Sequence, residues 1–206
     1  MSDIFEIFRR ISKNKTESAP VTHLVVGLGN PGSKYQYTRH NAGFLALSYL
    51  AQKENIKISK LRFKALTAEH YIGGVHALLM LPQTYMNLSG EAVLQAAEYY
   101  KIPAENILVI CDDINLDVGK MRIRIKGSSG GQKGLENIIR LLDSDAFPRI
   151  RIGVGINPEG TELVDWVTGK IPDSDKEELY RKFENSYEAV KLILSGDINT
   201  AMNRFN

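Results

Sequence analysis

His23-Leu24-Val25-Val26-Gly27-Leu28-Gly29-Asn30-Pro31-Gly32 is the stretch on which the fold turns. The uncharged run Leu24-Val25-Val26 reads as a buried strand that ends at a glycine turn. The glycines formally spell GxGxxG, the dinucleotide-binding fingerprint. That fingerprint needs a helix opening at its third glycine and an acid at the end of the next strand, about 20 residues on. Here Ser33 to Arg39 intervenes before a convincing helix, and the nearest acid, Glu54, sits at a helix end. The alternative use of so tight a turn is to hold Asn30 and the later His40 at the carboxyl edge of a sheet, where α/β proteins carry their sites.

Beyond the turn, helices and strands alternate. Asn41 to Lys53 has helical periodicity through Phe44, Leu47, Leu50 and Ala51. Leu66–Ile72 and Val75–Leu81 flank Gly73-Gly74, which is a hairpin signal. Ser89 is placed to cap a helix from Gly90 to Tyr100, and Pro103 follows its end. Ile107 to Cys111 reads as a strand, Gly131 to Leu142 as a helix, and Arg149 to Gly155 as a strand of alternating β-branched residues. Pro172-Asp173-Ser174 opens a long charged helix to about Leu194, and Asp197 starts a last one. Without repeats or low-complexity segments, this order predicts a single three-layer α/β domain with a mixed, mostly parallel twisted sheet flanked by helices.

That domain is expected over residues 22–206, with residues 1–21 as a semi-ordered extension. Ile4, Phe5, Ile7, Phe8 and Ile11, with Arg9, Arg10 and Lys13, predict a short amphipathic helix there. Asp3 and Glu6 argue against a mitochondrial presequence, and no signal-peptide core is present. No apolar run approaches the roughly 20 residues that span a bilayer. The single cysteine, Cys111, excludes an internal disulfide framework and a cysteine-based zinc site, which fits a reducing cytoplasm.

The net charge of +2 over 206 residues is small but unevenly spread. Val118–Gly155 carries eight Lys or Arg against three acids, and Glu159–Glu188 carries nine acids against four bases. A basic middle suggests a face aimed at a polyanion; two independently solvated surfaces are the plainer alternative. In Lys120-Met121-Arg122-Ile123-Arg124-Ile125-Lys126 the cations alternate with apolar residues, so on a strand four cations share one face and Met121, Ile123 and Ile125 face the core. The next segment, Gly127-Ser128-Ser129-Gly130-Gly131-Gln132-Lys133-Gly134, leads backbone N–H groups into a helix start, which favours anions. A basic edge that merely discourages aggregation would look similar.

Two residue types point to chemistry. His40 lies in the polar loop Tyr35-Gln36-Tyr37-Thr38-Arg39-His40-Asn41, just before a helix, whereas His23, His70 and His76 show strand-like settings without metal-ligand spacing. Asp112 follows the apolar strand Ile107–Cys111. A carboxylate there is well placed to accept from an imidazole, orienting the ring and raising its basicity; a simple strand-ending acid is the alternative. No GxSxG nucleophile elbow exists, and alternation turns Cys111 away from Asp112's side.

Together these segments resemble the bacterial peptidyl-tRNA hydrolase family. The matching segments run in order from His23 onward: Val26–Gly32, Thr38–Gly43, Pro82-Gln83-Thr84-Tyr85-Met86-Asn87-Leu88-Ser89-Gly90, Asp112-Asp113, the glycine loop 127–134, Arg151-Ile152-Gly153 and Ala201–Phe205. The resemblance implies ester hydrolysis on a single α/β domain without metal or cofactor. It casts His40 as the catalytic base and Asp112 as its orienting partner. Asn30 and Asn87 become the amides that hold peptide and reacting carbonyl, with Met86 lining the site. Tyr35 becomes a stacking surface near the tRNA end, and Arg124 with Arg151 a clamp on the tRNA 5′-phosphate. The expected partner is peptidyl-tRNA, met by a monomer away from membranes. One departure stands out. Where the family usually reads Gly-Gly-His-Asn-Gly, this chain has Gly130-Gly131-Gln132-Lys133-Gly134, and Lys133 cannot accept a hydrogen bond from the attacking water as asparagine can. A relative that only binds RNA, like the organellar splicing factors of this fold, is the other functional class; retention of Asn30, His40, Asn87 and Asp112 favours the enzyme.

Overall fold

A computed structural model describes residues 19–206; the helix expected over Ile4–Ile11 lies outside the described residues. The strands are β1 (His23–Gly27), β2 (Lys60–Arg62), β3 (Ala65–Ile72), β4 (Val75–Pro82), β5 (Ile107–Asp113), β6 (Met121–Arg124) and β7 (Arg149–Gly153). They form one sheet in the order β2-β3-β4-β1-β5-β7-β6. The inner strands β4, β1, β5 and β7 are parallel, and the outer pairings β2–β3, β3–β4 and β6–β7 are antiparallel. The α-helices are α1 (Ala42–Lys53), α2 (Ser89–Tyr100), α3 (Lys133–Leu142), α4 (Leu163–Thr168), α5 (Asp173–Leu194) and α6 (Ile198–Phe205).

Inner parallel strands are covered on both faces, which is why they read as continuous apolar runs. Along β1, Leu24 and Val26 pack with Val93 of α2 and Leu135 of α3, while Val25 packs with Leu47 of α1 and Phe183 of α5. β5 repeats the pattern: Val109 and Cys111 join the first cluster, Leu108 and Ile110 the second. The three-layer architecture expected from the element order is therefore the one found.

Several boundaries differ, each for a local reason. Ser89 does not cap α2; it is the first helical residue, and its hydroxyl donates to the Met86 carbonyl. The start of α2 is satisfied instead from α3, where Asn137 Oδ1 accepts from Gly90 N–H at 2.7 Å. α3 begins at Lys133 rather than Gly131, because Gly130 and Gly131 take positive φ values of 57° and 85° that no helix permits. β2 is an addition, joined to β3 through Phe63 and Lys64 at φ 52° and 53°. Residues without Gly or Asn character at such angles carry no turn signal in sequence. Ile125, expected in the core, lies beyond the end of β6 and is half exposed.

The close seating of α1 against the sheet positions everything that follows. A Cβ on Gly43, in the first turn of α1, would collide with the Ile110 carbonyl and the Leu28 backbone, and one on Gly27 would meet the Gly43 carbonyl. With glycine at both positions, the helix start reaches the carboxyl ends of β1 and β5, and the turn before it arrives beside Asp112.

Candidate active site

His40 sits in a one-turn 3-10 helix, Arg39–Asn41, just ahead of α1. Its Nδ1 lies 2.8 Å from Asp112 Oδ2 at the carboxyl end of β5, and both side chains are buried. A carboxylate only accepts, so the ring carries its proton on Nδ1 and leaves Nε2 as the basic nitrogen. Cys111 points to the opposite face of the sheet and is fully buried. Burial, with the charge of Asp112 adding to it, pushes its thiol well above the ordinary range, so it offers no nucleophile.

The glycine turn is locked to the His40 segment from both sides. Asn30 N–H donates to Asn41 Oδ1 at 2.8 Å, and Asn41 Nδ2 donates back to the Asn30 carbonyl at 3.0 Å. Asn30 Oδ1 in turn accepts from Met86 N–H at 2.8 Å. Because that oxygen is committed to a backbone donor, the Asn30 amide presents Nδ2 to an external acceptor. Asn30, His40 and Asp112 line a cavity of about 450 Å³ together with Met86, Asn87, Lys133 and Arg151. Leu163, Val164 and Val167 of α4 form its apolar wall. α4 is tied to the His40 turn through Arg39, whose guanidinium lies 3.7 Å from the Trp166 ring centroid and donates to the Lys170 carbonyl.

Not every residue singled out from sequence reaches this cavity. Tyr35 stands outside it, edge-on to Tyr85 at a centroid distance of 6.5 Å, and Tyr85 lines the cavity. Arg124 is exposed on β6, away from the cavity lining. Arg151 faces Arg122 rather than Arg124 across the β6–β7 ladder. Its Nε donates to Asp113 Oδ2 at 2.7 Å; burial lowers its basicity, but Asp113 and the other negative charge nearby, Asp112 included, together raise it on balance. Lys133 is exposed and paired with Glu136 at 2.9 Å, a contact of small worth between solvated groups. It is free to turn to a substrate at little cost.

Sequence reading passed over Gln132, Tyr85, the α4 wall and Arg149. Gln132 is buried and donates to Asp112 Oδ1 at 3.0 Å. Arg149 counts as a surface cation in sequence but is fully buried beneath the glycine loop. The available signal for α4 was Trp166, the sole tryptophan, set between Val164 and Val167 in an otherwise acidic segment.

An imidazole held by a carboxylate, in a cavity shared with side-chain amides at the carboxyl edge of an α/β sheet, offers the groups that the class of hydrolases uses. The comparisons narrow the class to a family. The family model described as peptidyl-tRNA hydrolase matches residues 24–206. A peptidyl-tRNA hydrolase of Clostridium acetobutylicum is 50% identical over 184 residues, spanning 89% of this chain and 97% of that protein. One from Caldanaerobacter subterraneus subsp. tengcongensis is 48% identical, spanning 89% of this chain and 99% of its own length. The crystal structure of peptidyl-tRNA hydrolase from Acinetobacter baumannii superposes with a TM-score of 0.84 at 35% identity, covering 90% of this chain and 95% of that one. The chain belongs to the peptidyl-tRNA hydrolase family. No helix among the described residues is long and apolar enough to cross a membrane.

Proposed function

We propose that this chain hydrolyses the ester joining a peptide to the 3′-terminal ribose of tRNA, freeing tRNA left charged by aborted translation. His40 Nε2 takes a proton from water as the oxygen attacks the ester carbonyl. Asn30 Nδ2 and the Asn87 amide hold the substrate carbonyls and stabilise the developing oxyanion, and Met86 lines the site. As the intermediate collapses, Nε2 returns the proton to the departing ribose oxygen. Tyr35, with Tyr85 beside it, offers a stacking surface at the mouth for the tRNA end. Arg124, with Arg151 nearer the cavity, supplies cations for the 5′-phosphate, and Lys133 adds one at the rim.

The observation that carries this reading is the 2.8 Å contact of His40 and Asp112 in a cavity shared with Asn30 and Asn87. A protein that only bound RNA would have no use for an oriented base. Release of free tRNA from peptidyl-tRNA by the purified chain is the test. Tight tRNA binding with no release above background would replace this reading with the RNA-binding one.

Asp112→Asn should lower kcat by roughly 10–100-fold, less than loss of the base itself, as orienting partners commonly do. A normal kcat would take Asp112 out of the site.

Arg124→Glu should raise KM for peptidyl-tRNA roughly tenfold and flatten its dependence on salt, since each phosphate contact releases counterions. A minimal ester lacking the tRNA body should react as before; equal losses on both substrates would indicate a folding defect. Lys133→Asn, read at two salt concentrations, should give a salt-sensitive rise in KM if the ammonium meets phosphate. A salt-independent gain in kcat would show that the position orients water instead.

A further inference from the structure

We infer that Gln132 is a positioning residue that holds Asp112 for its contact with His40; this rests on the reading of His40 as the base. Asp112 has two oxygens with separate partners. Oδ2 meets His40, and Oδ1 accepts from Gln132 Nε2 at 3.0 Å. Gln132 cannot turn its amide over. Its Oε1 accepts from Leu135 N–H at 2.8 Å, capping α3, so the NH2 must face Asp112. The same nitrogen lies 3.1 Å from Met86 Sδ, whose own N–H holds Asn30. One buried amide therefore joins the start of α3, the carboxylate and the segment that carries the proposed oxyanion donor.

A carboxylate held on one oxygen alone can rotate about its Cβ–Cγ bond. Held at both, it presents Oδ2 to His40 in a single orientation. Of the other charged groups near Asp112, Asp113, next on β5, pairs with Arg151 of β7, and Lys133 at the start of α3 is exposed and faces Glu136. Cys111 faces the other side of the sheet. Gln132 is thus the neutral donor to the second oxygen, and its role does not titrate.

Two variants separate this role from capping. Gln132→Glu keeps an acceptor for Leu135 N–H, so α3 stays capped, but its carboxylate cannot donate and sets a second negative charge beside Asp112. Gln132→Leu removes donor and cap together. Both should lower kcat on peptidyl-tRNA by roughly 10–100-fold with KM within about twofold. Gln132→Glu should also lose stability, since two carboxylates then face each other where an amide met one, so kcat is read at a temperature where the variant is folded. A parent-like kcat in folded Gln132→Glu overturns the inference, as does a rise in KM with kcat kept. His40→Ala measured alongside keeps the two readings apart. If it too turns over normally, the base assignment has failed; if it is inactive while Gln132→Glu is unaffected, only the role of Gln132 has.

Discussion

His40→Ala is expected to slow single-turnover hydrolysis of peptidyl-tRNA by roughly 10²–10⁴-fold at neutral pH, the usual contribution of a positioned general base. The figure corresponds to about 3–5.5 kcal/mol of barrier. Affinity for tRNA should stay within about twofold, because the cations and aromatic rings proposed to meet it lie elsewhere. On the proposed reading the residual rate would come from the amides of Asn30 and Asn87, which would hold the carbonyl whether or not a base is present. Removing the ring also leaves Asp112 Oδ2 buried without its donor, at a cost of roughly 1–3 kcal/mol of stability. His40→Asn separates the two effects, since its amide can still donate toward the carboxylate but cannot take a proton. It should be as slow as the alanine variant and more stable. Added imidazole should restore part of the rate to His40→Ala by entering the vacated space. Turnover within a few-fold of the parent in either variant would refute the mechanism.

How much of this was legible beforehand depended on the kind of signal. The order of strands and helices showed in apolar periodicity because inner strands, covered on both faces, are mostly apolar along their length. Leu24–Val26 and Ile107–Cys111 are the clear cases. The pairing of His40 with Asp112 was legible as a possibility from strand position, but the contact depends on Gly27 and Gly43 letting α1 sit tightly, a tertiary fact. β2 escaped notice because its turn uses Phe63 and Lys64 at positive φ, against their preference. The basic stretch misled in part. Arg122 and Arg124 are exposed as alternation along β6 requires, and Lys120 and Lys126 are exposed on either side of it, whereas Arg149 has the same composition signal and the opposite environment. Nothing local distinguishes a cation that greets solvent from one that holds a loop from beneath.

Arg149→Met should be the most damaging single change away from the cavity. Arg149 is 1% exposed, and its guanidinium contacts only backbone carbonyls and an aromatic ring. Nη2 donates to Asp145 O at 2.8 Å and to Phe147 O at 3.1 Å; Nη1 donates to Gly127 O, and to Ser128 O at 3.3 Å. The plane lies 4.2 Å from the Phe147 ring centroid. Burial lowers the basicity of this guanidinium, yet arginine stays charged in proteins, and these carbonyl dipoles solvate it. Methionine fills much of the volume but donates nothing, stranding several acceptors under the loop. The expected loss is about 3 kcal/mol, or roughly 6–12 °C in Tm for a domain of this size. Arg149→Lys keeps the charge with fewer donors in a different geometry and should fall between. The loss should also reach the cavity, because the loop that Arg149 holds at Gly127 and Ser128 leads into Gln132 and Lys133. At a temperature where the variant is still folded, kcat should drop while tRNA binding persists. A Tm within about 1 °C of the parent would show that the carbonyls find water as readily as arginine, and that the loop does not depend on this anchor.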